Sequence, residues 1–304
     1  MFAVITRDNL QNLRPIAQAK HGWIKRVKWS PDGRILCVAG GDGIALYVQG
    51  LGAQPDHTIK AHDGPVKDVA FSPDGRLMAS VSSDLTIRIW DTSAWECQLI
   101  LEGHTDAIEC VAFGPRGRYI ATGGSDQMVY VWDIDNQQSV LKLAGHSDVV
   151  ESVAFGLRGR VIIAGSRDKT VRMWDMGETT GGATLGAHED WVRAIAISPG
   201  ETRFASASKD GTIRIWDIFD GKPVTVFEKH ENGADCVAYT PDGAVLASGG
   251  RDSLVKLWDI HEGTLLATLA GHERPVLSID INPTGTMLVS GSGDNTVKLW
   301  AISD

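Results

Sequence analysis

The feature that most constrains this chain is a repeat with a period of 42 residues. His62, His104, His146, His188, His230 and His272 stand at that spacing, as do Asp84, Asp126, Asp168, Asp210, Asp252 and Asp294. Six residues after each Asp comes Trp90, Trp132, Trp174, Trp216, Trp258 or Trp300. Residues 61–91, AHDGPVKDVAFSPDGRLMASVSSDLTIRIWD, show the unit in full: a His, three apolar runs, a Pro-Asp-Gly turn and a Ser-Asp turn. Alternation with β-branched enrichment predicts strands over 66–71, 77–82 and 86–90. Self-similarity of this length, with strands inside each unit, predicts a propeller or a solenoid.

The count of units follows. Six regular repeats fill residues 60–304. Residues 20–49 form an eroded one, with Lys20 at the marker position, His21 one place late, Asp42 in place and Tyr47 where Trp would stand. Residues 10–19, LQNLRPIAQA, lie where each later repeat has a strand leading into its His. The last repeat ends four residues after Trp300 and lacks that outermost strand. The N-terminal strand is therefore expected to complete the final blade and close the ring, leaving no open sheet end. Pro15 suits such an edge, where no ladder N–H is lost. The whole of 1–304 is expected to be one all-β domain, a seven-bladed propeller of four-stranded antiparallel blades, because closed rings run to this length as single domains. Residues 1–9 carry no assignable element, and the Gly-rich residues 177–186 read as a looser outer connection.

The formal charge of −9 argues against a nucleic-acid or anionic-membrane partner, since both need a basic footprint. Four cysteines make no disulfide framework. Cys110 and Cys236 share a position, six after the His, where other repeats carry Asp, Ser or Ala; this reads as a small residue against a packed strand. The apolar start MFAVI is too short for a signal-peptide core. No run approaches the roughly 18 apolar residues of a membrane helix. A cytoplasmic protein, monomeric on its own, is the expectation.

His, Ser or Thr, and Asp in each repeat are the letters of a nucleophilic triad. Placing the Trp opposite the hydroxyl in the hairpin pairs Trp90 with Ser80, and the same offset gives Thr122, Ser206, Ser248 and Ser290, with Ala164 in the fourth repeat. A buried indole N–H needs an acceptor, and a hydroxyl can pass the bond to His and on to Asp. Five such sets in one chain argue for structural tetrads rather than five active sites. They are His62, Ser80, Asp84 and Trp90; His104, Thr122, Asp126 and Trp132; His188, Ser206, Asp210 and Trp216; His230, Ser248, Asp252 and Trp258; and His272, Ser290, Asp294 and Trp300. His188-Glu189, His230-Glu231 and His272-Glu273 begin like a zinc-protease motif, but no second His follows. The chain also has no phosphate loop, dinucleotide fingerprint or nucleophile elbow. No catalytic residue, metal or cofactor is expected.

Gly103-His104 and Gly145-His146, each followed 28 residues after the His by Trp132-Asp133 or Trp174-Asp175, resemble the WD-repeat β-propellers. The resemblance covers residues 10–304 and recurs in register six times. It implies a seven-bladed propeller used as a rigid platform for protein partners, and the tetrads are similar to that family's own. The low divergence between repeats and the ITRDNLQNL lead-in look more like bacterial members than eukaryotic ones.

Function then belongs to positions that repeat in place but vary in identity. Three such positions, three and five residues after the His and just before the turn Asp, resemble the family's top-face hot spots. They supply Trp23, Lys67, Glu109, Glu151, Arg167, Trp191, Arg193, Lys209, Asp235 and Arg251. Trp23 and Trp191 lie outside the periodic Trp set, and Arg167, Arg193, Lys209 and Arg251 put four cations on three consecutive blades. Such a surface suits an acidic or phosphorylated peptide. The competing reading is a solvated rim in which these cations pair with Glu109, Glu151 and Asp235. Two further classes stay open: an enzyme or small-molecule binder using the central channel, and a subunit of a larger complex. Trp95 reads as outer-strand packing.

Overall fold

A computed structural model describes residues 2–48, 50–177, 182–227 and 230–303. Its strands form seven four-stranded antiparallel sheets. Blade 2 shows the pattern, running from the ring axis outward as Val66–Phe71, Leu77–Ser82, Thr86–Asp91 and Glu96–Glu102. The inner strands of the other blades are Ile24–Trp29, Ile108–Phe113, Val150–Gly156, Val192–Ile197, Ala234–Tyr239 and Val276–Ile281. Each inner strand packs on the next, and blade 7 packs back on blade 1, so the ring is closed. The His-bearing loops and the Asp-bearing turns lie at one end of the ring, here the top. The Pro-Asp-Gly turns lie at the bottom.

Both faces of a blade are covered by neighbours, so alternation within a strand gives two apolar sets rather than one. Ala79, Ile87 and Ile89 of blade 2 pack with Ile108, Ile120 and Trp132 of blade 3, while Val69, Met78 and Trp90 pack with Cys37, Ile44 and Leu46 of blade 1. Trp95 joins the latter cluster from the outer connection. Apolar seams of this kind recur around the ring, a separate cluster between each blade and the next.

Blade 7 is completed by Leu13–Lys20, which pairs antiparallel with Thr296–Ile302, from Leu13 opposite Ile302 to Lys20 opposite Thr296. The closing strand thus starts later than residue 10. Leu10–Asn12 form a 3₁₀ turn, because the chain must bend into the blade edge before it can pair. Residues before it are also placed: Ala3 bridges Ile302, Ile5 N–H donates to Gly285 O at 2.7 Å, and Arg7 Nη1 donates to Asp259 Oδ2 at 2.8 Å. Pro15 lies on the free edge, and the register slips between Pro15 and Ala17. Of the Gly-rich stretch 177–186, residues 178–181 fall outside the described residues, and Ala183–Ala187 is the outer strand of blade 4.

One other expectation is corrected. Trp90 stands opposite Met78, and Ser80 opposite Arg88; the Trp therefore meets the hydroxyl diagonally, two residues along on the same face. Cys110 and Cys236 face the next blade rather than only their own sheet: their thiols approach Val150 O and Val276 O, both at 3.7 Å. At the same ring position Ser278, Asp68 and Ser152 accept the N–H groups of Val27, Val111 and Ile195 at 3.0, 3.1 and 3.0 Å, stitching blade to blade. The eroded blade 1 keeps part of its network, since Tyr47 Oη and His21 Nε2 lie 2.6 Å apart, the longer phenol spanning the gap that a Ser fills elsewhere. Among the described residues no helix is long and apolar enough to cross a membrane.

Candidate functional site

In blade 2 Trp90 Nε1 donates to Ser80 Oγ at 2.9 Å, Ser80 Oγ lies 2.7 Å from His62 Nε2, and His62 Nδ1 lies 3.0 Å from Asp84 Oδ2. The same chain recurs through Thr122, Ser206, Ser248 and Ser290, each 2.7 Å from the His Nε2 and 2.8 or 2.9 Å from the indole nitrogen. His104, His188, His230 and His272 reach Asp126, Asp210, Asp252 and Asp294 through Nδ1 at 2.8–3.0 Å. Burial opposes ionisation of these carboxylates. Hydrogen bonds from the His, from Thr86, Thr212 or Thr296, and from backbone N–H groups outweigh it and hold Asp84, Asp126, Asp210, Asp252 and Asp294 below the usual range. The His rings are buried, and burial pulls His62 and His272 below the ordinary imidazole range in spite of the Asp beside them.

Blade 4 departs from this. Ala164 offers no oxygen, and among the described residues His146 Nε2 and Trp174 Nε1, both buried, have no hydrogen-bond partner. The Nδ1 side is intact, with His146 2.8 Å from Asp168. The backbone of Gly182 lies against the Trp174 indole, so close that a Cβ there would fall 2.2 Å from Nε1. Only a glycine fits that approach.

The varying positions meet at the top, around a depression of about 260 Å³. Its lining includes Trp23, Glu151, Arg167, Trp191, Arg193, Asp235 and Arg251, from blades 1, 4, 5 and 6. Lys67, Glu109 and Lys209 stand outside it. Lys67 Nζ pairs with Glu109 at 3.1 Å, and Lys209 Nζ sits 4.3 Å from the Trp191 ring centroid while pairing with Asp190 at 3.3 Å. Arg167 and Arg193 lie 4.6 and 5.6 Å from the same centroid, so one indole carries three cations.

Each cation also has a carboxylate. Arg167 Nε meets Glu151 at 2.6 Å, Arg193 pairs with Asp235, and Arg251 Nε approaches Asp235 at 3.4 Å. Lys25 lies between Glu109 and Glu151, at 4.0 and 3.9 Å. The pairing is layered. Asp235 is 4% exposed and Arg251 40%, so the carboxylate is at depth and the guanidinium at the rim. Burial opposes ionisation of Glu151, but Lys25, Arg167 and Arg193 outweigh it and hold its carboxyl low. Five cations (Lys25, Lys67, Arg167, Arg193 and Arg251) share three carboxylates (Glu109, Glu151 and Asp235), a surplus of two positive charges on a chain whose net charge is −9.

Lys25 and Leu277, which also line the depression, occupy the repeating position five residues after the marker; the remaining lining residue, Arg26, was not read from sequence. Arg26 lies at the base, 2.5 Å from Asp68, and also lines the channel below. Its signal was present: it occupies the ring position held elsewhere by Asp68, Cys110, Ser152, Ala194, Cys236 and Ser278. A long cation among small or acidic residues marks an exception of the kind that identified Trp23.

The family model described as WD domain, G-beta repeat, matches residues 14–46, 53–91, 95–133, 137–175, 182–217, 221–259 and 263–301. The chain belongs to the WD40 repeat family, whose propellers are commonly protein-interaction scaffolds. No curated protein matches it.

Proposed function

We propose that this chain is a non-catalytic, cytoplasmic interaction platform whose top depression receives an acidic segment of a partner protein, phosphorylated or not. The observation that carries the reading is the layering of charge. Rim guanidiniums of Arg167 and Arg251 stand above buried carboxylates, with Trp191 and the exposed Trp23 beside them. A partner carboxylate or phosphate over the rim would meet the surplus cations without displacing the pairs beneath, through charge-assisted bonds. Trp and Arg are the residue types that dominate binding energy at interfaces, each worth roughly 2 kcal/mol or more when central. The closed ring holds the loops in place, so binding orders little that is not already ordered.

The His, hydroxyl and Asp sets support a binding role rather than hydrolysis, because their imidazoles are buried beneath indoles, away from solvent. Unpaired thiols at Cys37, Cys110 and Cys236 suit a reducing compartment. The test is capture of partners from native extract with identification by mass spectrometry, comparing wild type with Trp191→Ala/Arg251→Ala. The double variant should keep the wild-type melting midpoint, since both positions lie at the rim, and should lose the acidic partner at least about 100-fold in affinity. Retention of every wild-type partner would place the binding surface elsewhere.

A further inference from the structure

The turns at the bottom of the ring share one position in the 42-residue register, occupied by Asp32, Asp74, Arg116, Arg158, Gly200, Asp242 and Thr284. Where it is Asp, the turn closes on itself. Ser30, Ser72 or Thr240 donates its hydroxyl to the carboxylate at 2.6–2.7 Å, and the N–H two residues after the Asp donates as well. In blades 3 and 4 both members of that closure change together. Gly114 and Gly156 replace the hydroxyl, and Arg116 and Arg158 replace the carboxylate. The self-closing bond is gone, and an exposed cation stands at each tip.

The blade 4 turn is also strained. Leu157 stands where the other six blades have Pro, and Leu157 and Arg158 have φ of 50° and 55°. Left-handed backbone at two successive non-Gly residues is costly; it is held here by Leu157 packing on the seam of blades 4 and 5 and by the Arg158 N–H donating to the Glu201 carboxylate. Between the two turns lies a groove of about 270 Å³, lined by Tyr119 and Phe155 with Pro115 and Gly159 at its wall. Arg118 and Arg160 are engaged with Asp133 at 2.6 Å and Asp175 at 2.9 Å. Among the described residues, the guanidiniums of Arg116 and Arg158 have no carboxylate partner.

We propose that this groove is a second docking site, for a short acidic segment of a partner protein. An apolar side chain lies between Tyr119 and Phe155, and flanking carboxylates meet Arg116 and Arg158. The charge pattern selects this occupant over a nucleic acid. A polyanion needs an uninterrupted run of unpaired cations, whereas Asp133, Asp135, Asp175 and Glu201 interleave with the arginines here. The site is separated from the top depression by the length of a blade, about 20 Å for a six-residue strand, and does not rest on the top-face reading.

The experiment uses the full chain carrying Trp191→Ala/Arg251→Ala, so that only the bottom groove reports. The probe is the fluorescein-labelled peptide Asp-Asp-Phe-Asp-Asp, followed by anisotropy. Saturable binding is expected, weakened at least about tenfold on adding Arg116→Gln/Arg158→Gln, which removes the charge-assisted bonds. Binding should weaken similarly when Phe in the probe is changed to Ser. Thermal melts establish that the Gln pair leaves the fold unchanged. Failure to saturate by about 1 mM, equal binding by the Gln pair, equal binding of the Ser probe, or tighter binding of a single-stranded oligonucleotide of matched charge would each overturn the proposal.

Discussion

Blades 4 and 5 stand side by side, and they differ where the sequence pattern would suggest the most importance. In blade 5 Ser206 joins Trp216 to His188, whose ring centroids are 6.3 Å apart. In blade 4 Ala164 leaves His146 and Trp174 unlinked, and their centroids close to 5.6 Å. Both blades have four paired strands in the same register, Ile162 opposite Trp174 and Phe204 opposite Trp216. The hydroxyl link is therefore an increment to a blade, not a condition for it. Strand pairing and the apolar seams between blades specify the architecture. The neighbours share in the top-face surface all the same, since Arg167 of blade 4 stacks on Trp191 of blade 5.

The largest expected effect comes from making blade 5 like blade 4. Ser206→Ala orphans His188 Nε2 and Trp216 Nε1, and each unsatisfied buried group costs about 1–3 kcal/mol. Partial closure of the rings offsets some of this, so urea denaturation should show a loss of about 2 kcal/mol with an unchanged slope. A loss indistinguishable from zero would mean that the hydroxyl contributes nothing in either blade.

The reverse change, Ala164→Ser, gives both orphaned nitrogens a partner. Because the rings have already closed on the space, a smaller gain of about 1 kcal/mol is expected in the same measurement. A destabilised Ala164→Ser would show that blade 4 has repacked too far to readmit the oxygen.

Acid should act on the two blades alike, since the His–Asp half is present in both. Asp168 and Asp210 are each held well below the ordinary carboxylate range, and Asp294 at about 2, by the same hydrogen bonds against the opposition of burial. A depressed carboxylate stabilises the fold above its unfolded pKa of about 3.9, and that contribution is lost as pH falls through the folded value. Depressed His62 and His272 have the same sign: the unfolded chain takes up the proton first, so stability begins to fall below about pH 6.5. The melting midpoint should thus drop modestly from pH 7 to 5 and steeply below 4. Wild type and Ser206→Ala should run parallel throughout. Divergence of the two curves would mean that the hydroxyl and the carboxylate act as one unit.

The fold was legible because a fixed period places every equivalent residue without reference to the rest of the chain. Partners within a repeat, such as His62 with Asp84, could be read for the same reason. Contacts between repeats could not. Arg193 with Asp235 joins blades 5 and 6, and Lys25 with Glu151 crosses from blade 1 to blade 4; one-dimensional spacing carries no signal for either. The pairing of the rim cations with Glu109, Glu151 and Asp235 was already the competing reading of the sequence; which partners cross between blades and how the pairs are layered emerge only in three dimensions, as does the inter-blade role of Cys110 and Cys236. The diagonal meeting of Trp90 and Ser80 was misplaced by two residues, since a contact on one sheet face does not require direct opposition. The substitution of Arg for Asp in two bottom turns was visible as letters, but all seven segments read equally well as turns. Leu157 in place of Pro set blade 4 apart in the sequence, and the structure added its left-handed backbone.

The clasp between Leu13–Lys20 and Thr296–Ile302 has a mechanical consequence. Leu13 and Ile302 are paired at the same end of that strand pair, although the chain between them travels the whole ring. A pull applied at these two residues loads the ladder from one end, so its bonds part in succession, like a zipper, rather than together in shear. Pressure of a partner on the top face, by contrast, is shared among all seven blades. The molecule is built to resist compression across its face and to yield under tension at its seam.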